Sequence, residues 1–155
     1  MADTIQLEIV TPDKLLVRES ADEVQIPGKA GDIGVLPGHA PLITELTIGE
    51  ISYKHGGTTE HLSVAWGFAE VLPDKVTILA QTAERAQDID VKRAEQARAR
   101  AEAELARAAA DLDFDATLSA LKRAQVRLAV AAKAGSARSL NGSYLTLSWV
   151  PQSLP

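Results

Sequence analysis

The stretch that decides the fold is residues 83–134, which read AERAQDIDVKRAEQARARAEAELARAAADLDFDATLSALKRAQVRLAVAAKA. It contains no glycine and no proline, whereas residues 1–82 hold eight of the 10 glycines and five of the 7 prolines. A stretch rich in alanine, arginine and glutamate favours helix, and frequent glycine and proline divide a chain into short strands and turns. The sequence therefore predicts two modules that meet near Ala83.

Two helix-start signals lie within this stretch. Asp88-Ile89-Asp90 and Asp111-Leu112-Asp113 each place carboxylates where they can cap the exposed amides of a helix N-terminus. They predict an antiparallel two-helix hairpin over residues 85–134. Small apolar residues recur at steps of three and four along both predicted helices. These positions are Val91, Ala94, Ala97, Ala101, Leu105 and Ala108 on the first helix and Leu118, Leu121, Ala124, Leu128 and Ala131 on the second. Alanine buries little area, so the hairpin is expected to be lightly packed and able to change its packing.

Residues 1–84 have the pattern of many short strands. Ile5, Leu7 and Ile9 alternate with polar residues, which is typical of a strand with one buried face. Turn signals such as Gly56-Gly57 and Pro73-Asp74 separate further strand-length pieces. The density of strands predicts an antiparallel β-sandwich or flattened barrel, and the fold class is therefore α+β.

Residues 135–155 form a third segment. It is expected to be a terminus without order or one that is bound to a partner. The strand-like run from Tyr144 to Val150 leaves open a strand that adds to a sheet edge or contacts a neighbouring subunit.

Composition narrows the classes of function. The formal net charge of -5 argues against nucleic acid as the main partner. The chain has no cysteine, which excludes disulfides and thiolate metal sites, and its first residues lack the pattern of a signal segment. A cytoplasmic chain is expected. No apolar run is long enough to span a bilayer, so a membrane role would come only through partners.

The arginines of the helical module are candidates for anion binding. Arg93 and Arg100 share a face of the first helix, and Arg123 and Arg127 lie four apart on the second, so a folded hairpin could bring the two pairs to one anion. The alternative is that these arginines are solvated and form ion pairs at four-residue spacing. The pairs would be Arg98 with Glu102 and Arg100 with Glu104.

Other candidate sites are weaker. Gly28-Lys29-Ala30-Gly31 lacks the Ser or Thr and the following helix that a phosphate loop needs, so it is interpreted as a surface loop. His55 and His61 flank the Gly56-Gly57 turn, but hairpin register places them on opposite faces, which disfavours a shared metal site. No cluster of acid, base and nucleophile is present, and the sequence predicts a protein without an active site of its own.

Two glycine-centred motifs and the hairpin resemble a known family. Residues 31–42, GDIGVLPGHAPL, are similar to the early loop of the epsilon subunit of the F-type ATP synthase, and residues 64–71, VAWGFAEV, resemble its later strand. The resemblance runs from about Ile5 to Ala132. It implies a rotor subunit at the cytoplasmic face of the bacterial cell membrane that helps to couple proton flow to ATP synthesis.

The resemblance also implies partners. The β module would bind the gamma subunit and sit on the c-ring, with Asp32 and His39 as polar contacts of the loop. In an extended state the hairpin would inhibit ATP hydrolysis by contacting acidic residues of the catalytic alpha and beta subunits. The inhibitory contacts would be Lys122, Arg123 and Arg127.

A third motif implies a regulatory ligand. Residues 89–94, IDVKRA, resemble the motif with which some bacterial epsilon subunits bind ATP on a folded hairpin. Glu84 and the Ile89-Asp90 turn would then meet the adenosine end, while arginines face the phosphates. The implied nucleotide-binding residues are Glu84, Ile89, Asp90, Arg93, Ala94, Arg100, Arg123 and Arg127. No tightly bound cofactor or metal is expected.

Two other classes of function stay open at this stage. The chain could be a free-standing β-sandwich adaptor whose hairpin binds a partner helix. A small jelly-roll enzyme is the third option, which the missing acid, base and nucleophile clusters disfavour.

Overall fold

The fold is a β-sandwich followed by a helical hairpin. The computed structural model describes the backbone of residues 3–147 and the side chains of residues 3–134. The eight strands are β1 (Ile5–Val10), β2 (Leu15–Ala21), β3 (Glu23–Gly28), β4 (Gly31–Val35), β5 (Leu42–Leu46), β6 (Gly49–His55), β7 (Thr58–Val71) and β8 (Lys75–Arg85). A short 3-10 turn at Ala86–Asp88 leads to the helices α1 (Val91–Arg107) and α2 (Phe114–Leu147). The predicted α+β fold is confirmed.

The sheet folds over on itself because two strands each pair with three others. Its order is β2-β1-β8-β7-β5-β3-β4, and β6 pairs with both β3 and β7. The pairs are antiparallel, as the predicted sandwich requires, except β1 with β8, which run parallel and which the sequence pattern does not predict. A parallel neighbour needs a long connection, and the six strands between β1 and β8 supply it.

The sandwich core follows the predicted alternation. Ile5, Leu7 and Ile9 are fully buried and belong to the same core cluster as Ile78 and Leu62. Eighteen buried residues from the strands form one continuous cluster. Burial on this scale makes the sandwich a rigid platform for whatever packs against it.

Strand β7 turns a corner at Trp66 and Gly67. Before the corner it pairs with β6, as in Val64 with Gly49, and after it with β5, as in Gly67 with Leu46. Gly67 has φ of +132°, and a Cβ there would lie 2.0 Å from the carbonyl oxygen of Leu79. Only glycine allows β8 to approach this closely.

Both predicted helix starts are confirmed. The Asp90 carboxylate accepts a hydrogen bond from the Arg93 amide at 3.1 Å, and the Asp113 carboxylate accepts one from Ala116 at 3.1 Å. Helix α1 ends earlier than the apolar stripe predicts. Ala108 lies outside the helix with φ of +47°, because the chain must reverse within a few residues and no glycine is available there.

The seam between the helices is built largely of alanine, as the sequence predicts. Ala94 and Ala101 of α1 and Ala124 of α2 are buried, whereas Val91 and Leu118 remain 44% and 40% exposed. Helix α2 continues to Leu147, so the backbone of residues 135–147 is helical. The run from Tyr144 extends past this helix to Val150, and residues 148–155 lie outside the described residues. The role assigned to residues 135–155 stays a prediction.

Candidate functional site

A cleft lies between the sandwich and the folded hairpin. It has a volume of about 380 Å³, which is within the range of small-ligand sites. Strands β7 and β8 form one wall, and α1 and α2 form the other. Its charged lining consists of three arginines and one carboxylate: Arg93, Arg123, Arg127 and Glu84. We call this space the interdomain cleft.

Glu84 and Arg127 join the two walls of the interdomain cleft. The Nε of Arg127 donates to Glu84 Oε2 at 2.6 Å, and its second terminal nitrogen donates to Oε1 at 3.1 Å. Both side chains are partly buried, and the paired geometry of two parallel hydrogen bonds is the strongest that a guanidinium makes with a carboxylate. The last residues of β8 are thereby tied to the middle of α2.

Arg123 lies one turn earlier on α2 and packs on an aromatic ring. Its guanidinium carbon is 5.2 Å from the centroid of Trp66, within the range of a cation–π contact. Trp66 sits at the corner of β7, so this contact also joins α2 to the sandwich. The sequence gives no signal for it, because only the fold brings residues 66 and 123 together.

A small apolar cluster closes the same interface. Ala86, Ile89 and Val130 are buried against one another, with Val126 and Ala134 packed at the edge. Ile89, which the family motif places in the nucleotide set, is therefore largely enclosed by protein. Val130 was missed by the stripe predicted for α2, since it packs on Ala86 and Ile89 of the connection between β8 and α1.

A second polar contact ties the far part of α2 to the sandwich. Lys133 Nζ lies 2.5 Å from Glu50 Oε2, and Nδ1 of His61 lies 2.6 Å from Glu50 Oε1. Glu50 and His61 belong to the neighbouring strands β6 and β7. Glu50 and Lys133 are 83 residues apart in the chain, so no local sequence pattern predicts their contact.

The structure separates some residues that the sequence analysis grouped. Arg100 is exposed on α1 and is not part of the cleft lining, which on that helix is Arg93 and Ala97. Its predicted ion pair with Glu104 does not form within residues 3–134, whereas Arg98 does approach Glu102 at 3.9 Å. The arginines at 93, 123 and 127 therefore converge, and Arg100 lies further toward the hairpin tip.

The remaining members of the predicted nucleotide and inhibitory sets have distinct positions. Asp90 caps α1 through the Arg93 amide, and Ala94 is fully buried in the helix seam. Lys122 is exposed on α2 next to Arg123. The roles of these residues in binding stay predictions.

The predicted docking loop is half strand and half turn. Asp32 is exposed on β4, and His39 follows in the turn after that strand, with its Nδ1 2.7 Å from the carbonyl oxygen of Ala40. The amide of Gly38 donates to Pro73 O at 2.7 Å, which fixes this turn against the β7–β8 connection. Asp32 and His39 thus lie toward opposite ends of β4.

The sandwich also carries an exposed apolar face that the sequence analysis did not identify. Phe68 lies opposite Leu79 on β8, and both are more than half exposed. Ile43 on β5 is 72% exposed and belongs to the same face. A groove of about 650 Å³ adjoins Phe68 and Leu79 and extends to Trp66. We call it the sandwich groove. A group of large exposed apolar side chains is typical of interaction surfaces.

A polar cluster fixes the joint where the sandwich ends. Arg85, the last residue of β8, donates to Leu16 O at 3.1 Å and lies 3.8 Å from Glu19. Tyr53 donates its hydroxyl to Glu19 at 3.0 Å. Burial, with a further contribution from the hydrogen bond to Glu19, raises the pKa of Tyr53 to about 12.

The weaker candidates are placed as the sequence predicts. Lys29 and Ala30 form the exposed turn between β3 and β4. Strands β6 and β7 pair His55 with Thr58 and Ser52 with His61, which puts the two histidines on opposite faces. His55 meets the carbonyl oxygen of Ser20 at 2.5 Å, far from the Glu50 partner of His61.

These features define a class of protein. A β-sandwich with an exposed apolar face carries a lightly packed helical hairpin, and an arginine-lined cleft separates the two. No helix in the described part of the chain combines the length and apolar character needed to cross a membrane.

Comparison with known proteins supplies the family. Residues 4–86 match the β-sandwich domain of the ATP synthase delta/epsilon chain, and residues 87–132 match its long α-helix domain. The chain therefore belongs to the F-type ATP synthase epsilon subunit family.

Individual relatives agree with this family. The ATP synthase epsilon chain of Koribacter versatilis is 68% identical over 102 residues, covering 66% of this chain and 72% of the relative. That of Geotalea uraniireducens is 47% identical over 135 residues, covering 86% and 98%. A cryo-EM structure of the Euglena gracilis mitochondrial ATP synthase contains a chain of similar fold, with a TM-score of 0.64 at 21% identity over 88% of this chain and 82% of that one.

Proposed function

We propose that this chain is a non-catalytic rotor subunit of the central stalk of an F-type ATP synthase, and that its hairpin regulates ATP hydrolysis by sensing ATP. Family membership supports the stalk over a free-standing adaptor or a jelly-roll enzyme. In this role the protein helps to couple proton flow to ATP synthesis. It is held at the cytoplasmic face of the bacterial cell membrane through its partners.

The exposed apolar face supports docking on a protein partner. We propose that the gamma subunit covers Ile43, Phe68 and Leu79, which are too apolar and too exposed to remain in water in the assembled enzyme. The polar residues Asp32 and His39 lie toward the two ends of β4 and would face the c-ring.

Copurification tests the docking face. Phe68→Lys places a charge in the proposed interface and is expected to abolish copurification with the gamma subunit. Phe114→Lys is the matched control, because Phe114 is similarly exposed, at 58% against 53%, but lies at the start of α2. Equal binding of gamma by both variants, each folded by circular dichroism, would refute the assignment of this face.

The main support for the proposed ATP sensor is the charged lining of the interdomain cleft. Three arginines converge there on a space of ligand size, with one carboxylate to oppose them. Guanidinium groups bind phosphate through paired hydrogen bonds, so a nucleotide triphosphate suits this lining. Glu84 is already engaged by Arg127, and it would be shared with the adenosine end when ATP binds.

The energies involved match a sensor of cellular ATP. A dissociation constant near 1 mM corresponds to about 4 kcal/mol, which two or three charge-assisted hydrogen bonds of about 1.5 to 3 kcal/mol each can supply. At about 5 mM ATP such binding stabilises the folded hairpin by roughly 1 kcal/mol, or about sixfold. The light alanine seam keeps the folded and extended states close enough for this shift to matter.

In the folded state Arg123 and Arg127 are occupied by Trp66 and Glu84. Extension of the hairpin would release them, together with Lys122, to meet acidic residues of the catalytic subunits. The same arginines can therefore contact either the sandwich or the catalytic subunits, but not both at once. ATP favours the folded hairpin, which does not inhibit hydrolysis.

Titration of the full chain with ATP tests the sensor. Arg93→Gln removes one cleft arginine and is expected to weaken ATP binding about tenfold or more, as followed by amide NMR shifts of the hairpin. Arg98→Gln is the matched control on the same helix, because Arg98 pairs with Glu102 outside the cleft. If ATP at millimolar concentration shifts neither wild-type signals nor thermal stability, the sensor proposal fails while the stalk assignment remains.

Inhibition is tested in the assembled enzyme. A chain ending at Arg85 keeps strands β1 to β8 and the whole sandwich core cluster. The complex that carries it is expected to hydrolyse ATP faster than the complex with the full chain. Equal rates at low ATP would refute the inhibitory role of the hairpin.

A further inference from the structure

Trp66 occupies a backbone position that its side chain disfavours. Its φ is +58°, in the left-handed region, and Ala108 is the only other non-glycine residue with positive φ among residues 3–147. A bulky side chain in this region is an outlier, since it crowds the following carbonyl oxygen. Glycine would fit this corner without strain. A strained tryptophan at this position therefore suggests that the indole ring has a role.

The indole contacts Arg123 and not the interdomain cleft. The guanidinium lies over the ring face, and Arg123 also lines the cleft, whereas Trp66 lines the sandwich groove. A guanidinium stacked on a ring keeps its N–H donors in the plane of the group, where they can still reach a phosphate. The contact with the Trp66 ring therefore holds Arg123 without using a hydrogen-bond acceptor.

We propose that Trp66 is a positioning residue, which holds Arg123 at the edge of the interdomain cleft and helps to keep α2 on the sandwich before any anion binds. Its contribution to nucleotide binding rests on the sensor function proposed above. Its contribution to hairpin docking is independent of nucleotide. The strained corner of β7 is thus tied to the movable module by an aromatic–cation contact.

A double-mutant cycle on the full chain without nucleotide tests the contact. Trp66→Gly removes the ring and the backbone strain at residue 66. The free energy of unfolding of the sandwich is therefore expected to equal or exceed that of the wild type. Opening of the hairpin, measured by amide hydrogen exchange in α2, is expected to rise about two- to fivefold. Arg123→Gln should give a similar rise, and the double variant no further one.

A spectroscopic signature and a conservative variant separate positioning from general packing. The Arg123 side-chain Nε–H signal is expected to be shifted by the ring current of Trp66 and to lose this shift in Trp66→Gly. Trp66→Phe keeps an aromatic face and should restore most of the docking. Additive effects of the two substitutions, or an unshifted Arg123 signal in wild type, would overturn the proposal.

An ATP titration of the same variants keeps the two proposals distinguishable. Suppose that ATP binds the wild-type protein and that Arg93→Gln weakens this binding. Trp66→Gly should then lower the affinity for ATP about two- to fivefold. An unchanged affinity would show that Trp66 does not position Arg123 for the nucleotide. If ATP binds none of the proteins, the sensor function fails, and the nucleotide-free cycle alone decides whether Trp66 holds Arg123.

Discussion

The sandwich and the hairpin are stabilised in different ways. Eighteen buried residues form the sandwich core, whereas the hairpin docks on it through the small cluster of Ala86, Ile89 and Val130 and a few polar contacts. The buried apolar area sets most of the free energy that holds such modules. The sandwich therefore has a large core of its own, whereas the hairpin, whose release we propose, is held by far fewer buried residues and borders the interdomain cleft.

Disruption of the β7 corner should have the largest effect, and it should act on the sandwich. Gly67→Ala places a Cβ 2.0 Å from a backbone oxygen of Leu79 and demands φ of +132° from alanine. We expect a loss of at least about 3 kcal/mol in the free energy of unfolding, measured in urea. Gly57→Ala is the control, since φ is +86° but no atom lies within 4 Å of the new Cβ; it should cost about 1 kcal/mol. Equal losses would show that close approach at Gly67 is unimportant.

A pair of valine truncations distinguishes the two modules. Val130 and Val71 are both fully buried, the first against Ala86 and Ile89 of the connection between β8 and α1 and the second within the sandwich core. Each change to alanine should cost about 2 kcal/mol. Val130→Ala should increase amide exchange only in α2, whereas Val71→Ala should lower the global unfolding free energy. A loss of global stability from Val130→Ala would mean that the modules unfold as one unit.

The ion pair across the cleft should have a somewhat smaller effect. Glu84→Gln leaves Arg127 with a neutral partner and should weaken docking of the hairpin by about 1 to 2 kcal/mol, seen as faster exchange of α2 amides. Glu102→Gln removes an ion pair within α1 and should change docking little. An equal response of the two variants would contradict the role of Glu84 as a tether.

Burial of Tyr53 is expected to make the sandwich sensitive to high pH. The pKa of Tyr53 is raised to about 12 in the folded protein, against about 10 in an unfolded chain. Its contribution to stability is therefore complete below pH 10 and is lost as the pH rises toward 12. Urea unfolding of wild type should show this loss, and Tyr53→Phe should flatten it. An identical loss of stability at high pH in both proteins would show that groups other than Tyr53 cause it.

The hairpin turn should give the smallest effect, and it should be stabilising. Ala108 has φ of +47° at the end of α1, a position that glycine favours. Ala108→Gly is expected to stabilise the folded hairpin by about 0.5 to 1 kcal/mol, measured as slower exchange in α1 and α2. Ala103→Gly, in the exposed middle of α1, should destabilise it by a similar amount.

The sequence predicts the modules better than it predicts their contact. Local signals suffice for the alternation of Ile5 to Ile9 and for the caps at Asp90 and Asp113, because each depends on neighbours in the chain. The parallel pairing of β1 with β8 depends on distant strands and was not predicted. The same reason explains why the Arg123–Trp66 and Lys133–Glu50 contacts were missed. The family motif brought Glu84, Arg93 and Arg127 into one set, and the fold places them around one cleft.

Amide hydrogen exchange of the full chain, with and without 5 mM ATP, tests the central claim most directly. Without ATP, the α2 amides of residues 114–134 should exchange much faster than those of β8, since the hairpin opens without unfolding the sandwich. With ATP, the α2 amides should slow about fivefold while those of β8 stay unchanged. If the amides of α2 and β8 were equally protected and ATP changed neither, the hairpin would not open separately from the sandwich and the cleft would not control its opening.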